Sequence, residues 1–182
     1  CNADIAESLL EGLMERPEKD LAHPLARMLC LGLGLLYLGK GDAAELSLQA
    51  CTALHPSVAD LCVVLVTVCA FACSGDVLQV QKLLEIAGRH PEPKKEEKDD
   101  EDKDKEPEED PLFARVVGAA VVGVGVVAMG EDVGSDMACR MTNHMIQFGE
   151  KAAKRSVPLC LAMLSTSTGA PLARPAHVAS RS

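Results

Sequence analysis

The chain has 182 residues and a formal net charge of −9; 48% of its residues are hydrophobic but only 2% are aromatic. Its core must therefore be built from Leu, Val, Ala, Met and Cys side chains. The negative charge and the scarcity of stacking rings exclude nucleic acid and anionic membrane surfaces as expected partners.

A short pattern recurs along the chain: an apolar run, a small-residue turn with an acidic residue, and a second helical pattern. The acidic turn residues are Asp4, Asp42 and Asp76, separated by 38 and 34 residues. Self-similarity at this period is typical of helical repeat arrays. We therefore predict an all-α fold, an α-solenoid of helix pairs with an apolar first helix and an amphipathic second helix. Neither end shows the polar cap of such arrays, so we interpret the chain as an excerpt of a longer one.

In chain order, the predicted helices occupy residues 4–15, 21–38, 42–54, 58–73, 77–88, 112–129, 135–148 and 156–164. The segment 90–111 has four prolines and no hydrophobic residue, and its part 92–110 carries twelve acidic residues and five lysines. Such a segment cannot bury enough surface to fold and is predicted to be disordered. The expected organisation is helical repeats at 1–89, the acidic and Lys-rich insertion at 90–111, further repeats at 112–168, and an irregular tail at 169–182.

The most apolar segment, 116–129, has 14 residues. A bilayer span needs ~20, so we predict a helix buried on all sides and no membrane association. Taken alone, the segment also fits a buried strand, and the repeat context favours the helix. The spelling of a dinucleotide-binding fingerprint at 123–128 lacks the helix that should begin there, which favours helix packing.

Catalytic and metal-binding patterns are absent from the sequence. The eight cysteines include no CxxC pair and the five histidines are scattered, so zinc is not expected. The thiols are interpreted as free and buried, in a reducing compartment. No serine or cysteine has a nearby general base, and we expect neither an enzyme nor a cofactor.

The remaining functional signal is an acidic stripe on the first helix. Its members, spaced three, four and four residues apart on one helix face, are Asp4, Glu7, Glu11 and Glu15. Aligning the turns extends this face across the next two repeats to Asp42, Glu45, Gln49, Asp76, Gln79 and Leu83. A solvated surface without a partner is the alternative for an isolated helix. In a stacked array, the combined face would suit a small partner with a basic patch.

Three short segments of the sequence are specific to one family. They are LGLGLLYLGKG at 31–41, CAFACSGDVLQVQKLL at 69–84, and AMGEDVG at 128–134. With the charged insertion between the last two, they resemble the proteasome/cyclosome repeats of the scaffold subunits in the base of the proteasome regulatory particle. The resemblance covers about residues 1–165, and the pattern departs from it after Thr168.

The resemblance implies a helical toroid in the cytoplasm and nucleus that is not an enzyme. Its expected partners are ubiquitin chains, the ubiquitin-like domains of shuttle factors, the proteasomal ATPase subunits and other regulatory-particle subunits. In the family, an acidic triad follows a Cys-Asn-Gly-Asp turn; here the triad falls on Asp4, Glu11 and Glu15, and Ala3 replaces the usual glycine. A purely structural scaffold without receptor function is the alternative.

Overall fold

A computed structural model describes residues 3–90, 110–129 and 131–168. Within these ranges the regular structure is helical, without strands, which confirms the predicted all-α solenoid. The helices are α1 (Ala3–Met14), α2 (Glu18–Leu21), α3 (Pro24–Leu36), α4 (Glu45–Thr52), α5 (Pro56–Ala70), α6 (Val77–Ala87), α7 (Pro111–Ala128), α8 (Asp132–Phe148) and α9 (Lys151–Thr168), with a 3-10 turn at Gly41–Ala44 before α4.

The helices form two layers. Helices α3, α5, α7 and α9 pack side by side in an inner row, and α1, α4, α6 and α8 form the outer row. Each outer helix packs against the inner helix that follows it in the chain. Because α5 lies inside the row, its opposite faces serve two core clusters: Val58, Cys62 and Val66 belong to one, and Leu61 and Val64 to the other. Burial on both sides explains why α5 and α7, which lie inside the row, are largely apolar all round.

Three of the inner helices begin with the same device, a capping side chain followed by proline. The Nδ1 atoms of His23 and His55 accept hydrogen bonds from the backbone N–H two residues ahead, at 3.2 and 3.3 Å. An Asp110 carboxylate oxygen does the same for α7 at 3.0 Å. Each cap satisfies a backbone donor that the first turn leaves free, and proline suits the first helical position.

Backbone hydrogen bonds join the turns of successive repeats at the opposite edge. The Gly39 N–H donates to the Cys69 carbonyl at 2.9 Å, and the Cys73 N–H donates to the Val126 carbonyl at 2.9 Å. Gly39 and Cys73 both adopt positive φ, 67° and 57°, which a glycine tolerates and a cysteine adopts at a cost. These bonds place the carboxyl ends of α3, α5 and α7 at one edge, where α4 and α6 then begin.

Small residues allow the inner helices to approach closely. A Cβ atom added to Gly34 of α3 would lie 3.0 Å from the Leu65 carbonyl oxygen of α5, and one on Gly125 of α7 would lie 3.1 Å from the Cys160 carbonyl oxygen of α9. Both glycines are therefore packing residues. The glycine-rich segment 123–128 lies inside α7, as expected from helix packing.

Some predicted helix boundaries were wrong. The prediction missed α2, began the next helix at 21 rather than Pro24, and began the last one at 156 rather than Lys151. In α9 the buried Ala152 and Ala153 continue the packed face ahead of Pro158, which lies inside the helix.

Helix α7 has the predicted length, begins one residue before the predicted 112–129, and is apolar beyond the segment 116–129. At 18 residues, α7 is the one helix within the described ranges that is long and apolar enough to cross a membrane. Half of it is buried inside the protein, packed against α5, α6 and α9, as in a core helix of a helical array. Most of the predicted insertion, 91–109, and the tail, 169–182, lie outside the described residues, so the predictions for them stay predictions.

Candidate binding surface

The acidic stripe of α1 lies on its solvent face. Asp4, Glu7, Glu11 and Glu15 are all exposed, while Ala6 and Leu13 are buried against the neighbouring helices. Ile5 and Met14 are exposed as well, because the buried face of this short helix is narrow. Within the part of the chain that the structure describes, none of the four carboxylates has a hydrogen-bond or ion-pair partner.

The predicted residues of α4 and its preceding turn are also exposed. Asp42, Glu45 and Gln49 face solvent, and neither carboxylate is paired within the described ranges. Beside them Leu46 is 81% exposed, a feature the sequence interpretation missed. The acidic face of α1 therefore continues onto α4, which packs beside α1, and gains an apolar side chain there.

The predicted residues of α6 behave differently. An Asp76 carboxylate oxygen accepts hydrogen bonds from the N–H groups of Leu78 at 2.8 Å and Gln79 at 3.4 Å, so Asp76 caps the helix. Leu83, predicted to line the surface, is only 1% exposed and belongs to the core. Its assignment as a binding residue was wrong.

The error has a geometric cause. The turn residues Asp42 and Asp76 are 34 residues apart, but the buried positions of α4 and α6 are 36 apart. In α4 and its preceding turn these buried residues are Ala44, Ser47 and Cys51, and in α6 they are Val80, Leu83 and Ala87. A 3-10 turn precedes α4, whereas α6 begins directly after its cap, and this difference accompanies the shift of two residues.

Aligning the helices by burial gives a consistent exposed face. In this alignment the exposed residues of α1 are Asp4, Glu7, Ser8 and Glu11. Their counterparts are Asp42, Glu45, Leu46 and Gln49 in α4 and its preceding turn, and Leu78, Gln81, Lys82 and Glu85 in α6. The face thus changes from acidic on α1 to mixed and partly apolar on α6, where Leu78 is 66% exposed. Hydrophobic periodicity within the helices, rather than the acidic turn residue, was the signal that would have found it.

An open groove of about 420 Å³ separates α4 from α6. Val63 and Thr67 of α5, with Phe71 directly after its carboxyl end, form its floor. The walls consist of Gly41, Asp42, Glu45, Leu48, Gln49 and Thr52 on one side and Gln79 and Lys82 on the other. Four predicted residues, Asp42, Glu45, Gln49 and Gln79, are therefore brought together here.

The groove is apolar at its floor and charged at its rim. The Lys82 ammonium lies 3.5 Å from the Gln79 side-chain oxygen across one helix turn, and the unpaired carboxylates belong to the opposite wall. Within the described residues, no three His, Cys, Asp or Glu side chains are arranged to hold a metal ion. The arrangement suits a protein surface with basic and aliphatic side chains, held by charge at the rim and apolar contact at the floor.

No protein-family profile matches the chain, but several curated proteins do. It is 35% identical over 167 residues to the 26S proteasome regulatory subunit rpn1 of Schizosaccharomyces pombe and 37% identical over 167 residues to the 26S proteasome non-ATPase regulatory subunit 2 homolog A of Arabidopsis thaliana. Each alignment covers 92% of this chain. The chain is homologous to a segment of these proteasome regulatory subunits. It spans 17% of the length of either relative.

A third relative, the 26S proteasome non-ATPase regulatory subunit 2 of Dictyostelium discoideum, is 35% identical over 92% of the chain. The predicted resemblance to the scaffold subunits of the regulatory particle is thereby confirmed. The binding role of the individual residues stays a prediction.

Proposed function

We propose that this chain is a non-catalytic receptor segment of the proteasome regulatory particle that binds ubiquitin chains and the ubiquitin-like domains of shuttle factors. Its homology to proteasome regulatory subunits supports the assembly in which it would act. The neighbouring ATPase and other regulatory-particle subunits would then be its permanent partners, in the cytoplasm and nucleus.

The observation that carries the proposal is the continuous set of unpaired carboxylates on α1 and α4. These are Asp4, Glu7, Glu11, Glu15, Asp42 and Glu45, all exposed and, in the described ranges, unpaired. Like charges this close repel one another and destabilise the helix slightly, so a surface kept in this state favours a partner of opposite charge. The exposed Leu46 and the groove floor supply the apolar contacts that charge alone does not give.

An NMR titration tests the proposal. Unlabelled ubiquitin added to the ¹⁵N-labelled chain should shift amide signals of α1, α4 and the groove, with a Kd of about 10–100 μM for such a small, charge-guided contact. The variant Asp4→Ala, Glu11→Arg, Glu15→Arg should weaken binding at least about tenfold, which is 1.4 kcal/mol. The remaining affinity should fall as salt is added.

A control variant separates local contact from net charge. Asp136→Ala, Glu18→Arg, Asp20→Arg changes three exposed residues outside the acidic face and alters the net charge equally. It should bind ubiquitin like the unmodified chain. Equal weakening by both variants, or shifts elsewhere than α1, α4 and the groove, would show that the acidic face is not the receptor site.

A purely structural role is the second candidate, favoured by one exposed apolar stripe. Leu25, Met28, Leu35 and Leu38 follow one face of α3 and its carboxyl-terminal turn, each more than half exposed. This stripe lies on an inner-row helix and suits packing against another helix. If the chain were a scaffold only, photo-crosslinks from Met28 to other regulatory-particle subunits would form while ubiquitin caused no shifts.

A further inference from the structure

Three thiols lie close together in the core cluster that contains Val58, Cys62 and Val66. Cys30 of α3, Cys51 of α4 and Cys62 of α5 are fully buried, and the sulfur atoms of Cys51 and Cys62 are 3.3 Å apart. The neighbouring thiols of Cys30 and Cys51 raise the pKa of Cys62. All three are free thiols, and neither the fold nor the proposed receptor face uses their chemistry.

The helix that carries Cys51 is weakly held. α4 has eight residues, of which two, Ser47 and Cys51, are buried, and it lacks a side-chain cap. A short outer helix with so little buried surface opens locally at a lower free energy than the inner row. Opening α4 exposes the Cys51 thiol, while Cys62 stays on α5 within the inner row.

We propose that Cys51 and Cys62 form a modification site, an intramolecular disulfide produced by a small-molecule disulfide such as oxidised glutathione. In the open state the Cys51 thiolate attacks one sulfur of glutathione disulfide and releases one glutathione thiolate. As α4 closes, the Cys62 sulfur attacks the Cys51 sulfur of the mixed disulfide and releases the second glutathione. Two protein thiols are oxidised, one glutathione disulfide is reduced, and the two thiol protons pass to the two glutathiones.

The geometry favours this pair. The sulfur atoms must approach from 3.3 Å to a bond length of about 2.05 Å, a change that side-chain rotation and a small movement of α4 provide. The bond would lie directly behind the groove, because Thr52 and Val63, the chain neighbours of the two cysteines, line it. Oxidation would thus fix the α4 wall to the α5 floor.

The test uses the full chain, incubated with oxidised glutathione, quenched, alkylated under denaturing conditions and analysed by mass spectrometry. We expect two fewer cysteines to be alkylated than in the untreated chain. Once the alkyl groups and any glutathione on other cysteines are subtracted, the chain should have lost the mass of two hydrogen atoms. Cleavage before aspartates separates the cysteines, and peptide 42–59 should be linked to peptide 60–75, with fragmentation placing the bond on Cys62. Amide exchange in α4 should slow after oxidation, since opening then requires moving α5 as well.

Variants and internal references make the outcome decisive. The two-hydrogen loss should vanish in Cys51→Ser and in Cys62→Ser but persist in Cys30→Ser. The exposed Cys73 should acquire glutathione, which shows that the oxidant is active, whereas Cys160, fully buried in the inner-row helix α9, should stay unmodified. A link from peptide 20–41 to 60–75, or modification of Cys73 with Cys51 and Cys62 still reduced, would overturn the proposal.

Discussion

The outer helices α4 and α6 follow similar turns but are held in different ways. α6 is capped by Asp76 and buries Val80, Leu83 and Ala87. α4 begins from an uncapped 3-10 turn and buries only Ser47 and Cys51. In α6 the turn aspartate and the apolar side chains anchor the helix. In α4 the corresponding residues are exposed.

The inner row explains how both arrangements coexist. Both repeats share the inner-helix packing and the turn hydrogen bonds that join one repeat to the next. Because the inner row and the turn hydrogen bonds hold the repeats together, the buried positions of an outer helix can shift by two residues without disturbing them. Binding residues in such an array must therefore be located from the burial of each helix, repeat by repeat.

A pair of substitutions at Leu83 and Gln49 tests the anchoring of α6. Leu83→Ala should lower the free energy of unfolding by about 3 kcal/mol, because it removes a fully buried side chain and leaves a cavity. Its counterpart by turn alignment is Gln49, which is exposed, and Gln49→Ala should change stability by less than about 0.5 kcal/mol. Urea unfolding followed by circular dichroism measures both. Similar losses in the two variants would contradict the two-residue shift.

The second prediction tests the shared frame on two glycines of α3. Gly34→Ala should cost about 1–2 kcal/mol, since its methyl group would meet the Leu65 carbonyl and the Cys69 sulfur. Gly32, two residues away, has no atom within 4 Å of an added Cβ. Gly32→Ala should stabilise the chain by up to about 1 kcal/mol through helix propensity. A denaturation midpoint below that of the unmodified chain for Gly34→Ala and above it for Gly32→Ala would confirm the inner-row packing. Equal midpoints for the two variants would refute it.

Much of this fold was predictable from the sequence. The repeated apolar runs predicted the inner helices, and the acidic stripe of α1 was placed on its exposed face. The role of Asp76 was not predicted, because the sequence does not distinguish a capping aspartate from a free one. Leu83 was misplaced because the buried positions of α4 and α6 differ by two residues relative to their turns. This shift accompanies the 3-10 turn that precedes α4 but not α6. The Cys51–Cys62 contact arises from packing between α4 and α5, which no sequence spacing reveals.

The smallest effect concerns the two turn aspartates themselves. Asp76→Ala should destabilise the chain by about 1 kcal/mol, because the backbone N–H groups of Leu78 and Gln79 lose their acceptor. Within the described residues the Asp42 side chain has no hydrogen-bond partner, so Asp42→Ala should leave stability within about 0.5 kcal/mol while weakening the proposed ubiquitin binding. Asp76→Asn is the matched control, since asparagine also caps well and should recover most of the loss. Unfolding curves and the ubiquitin titration on the same variants separate the two roles, and a loss of binding without loss of stability in Asp76→Ala would assign that carboxylate to the surface instead.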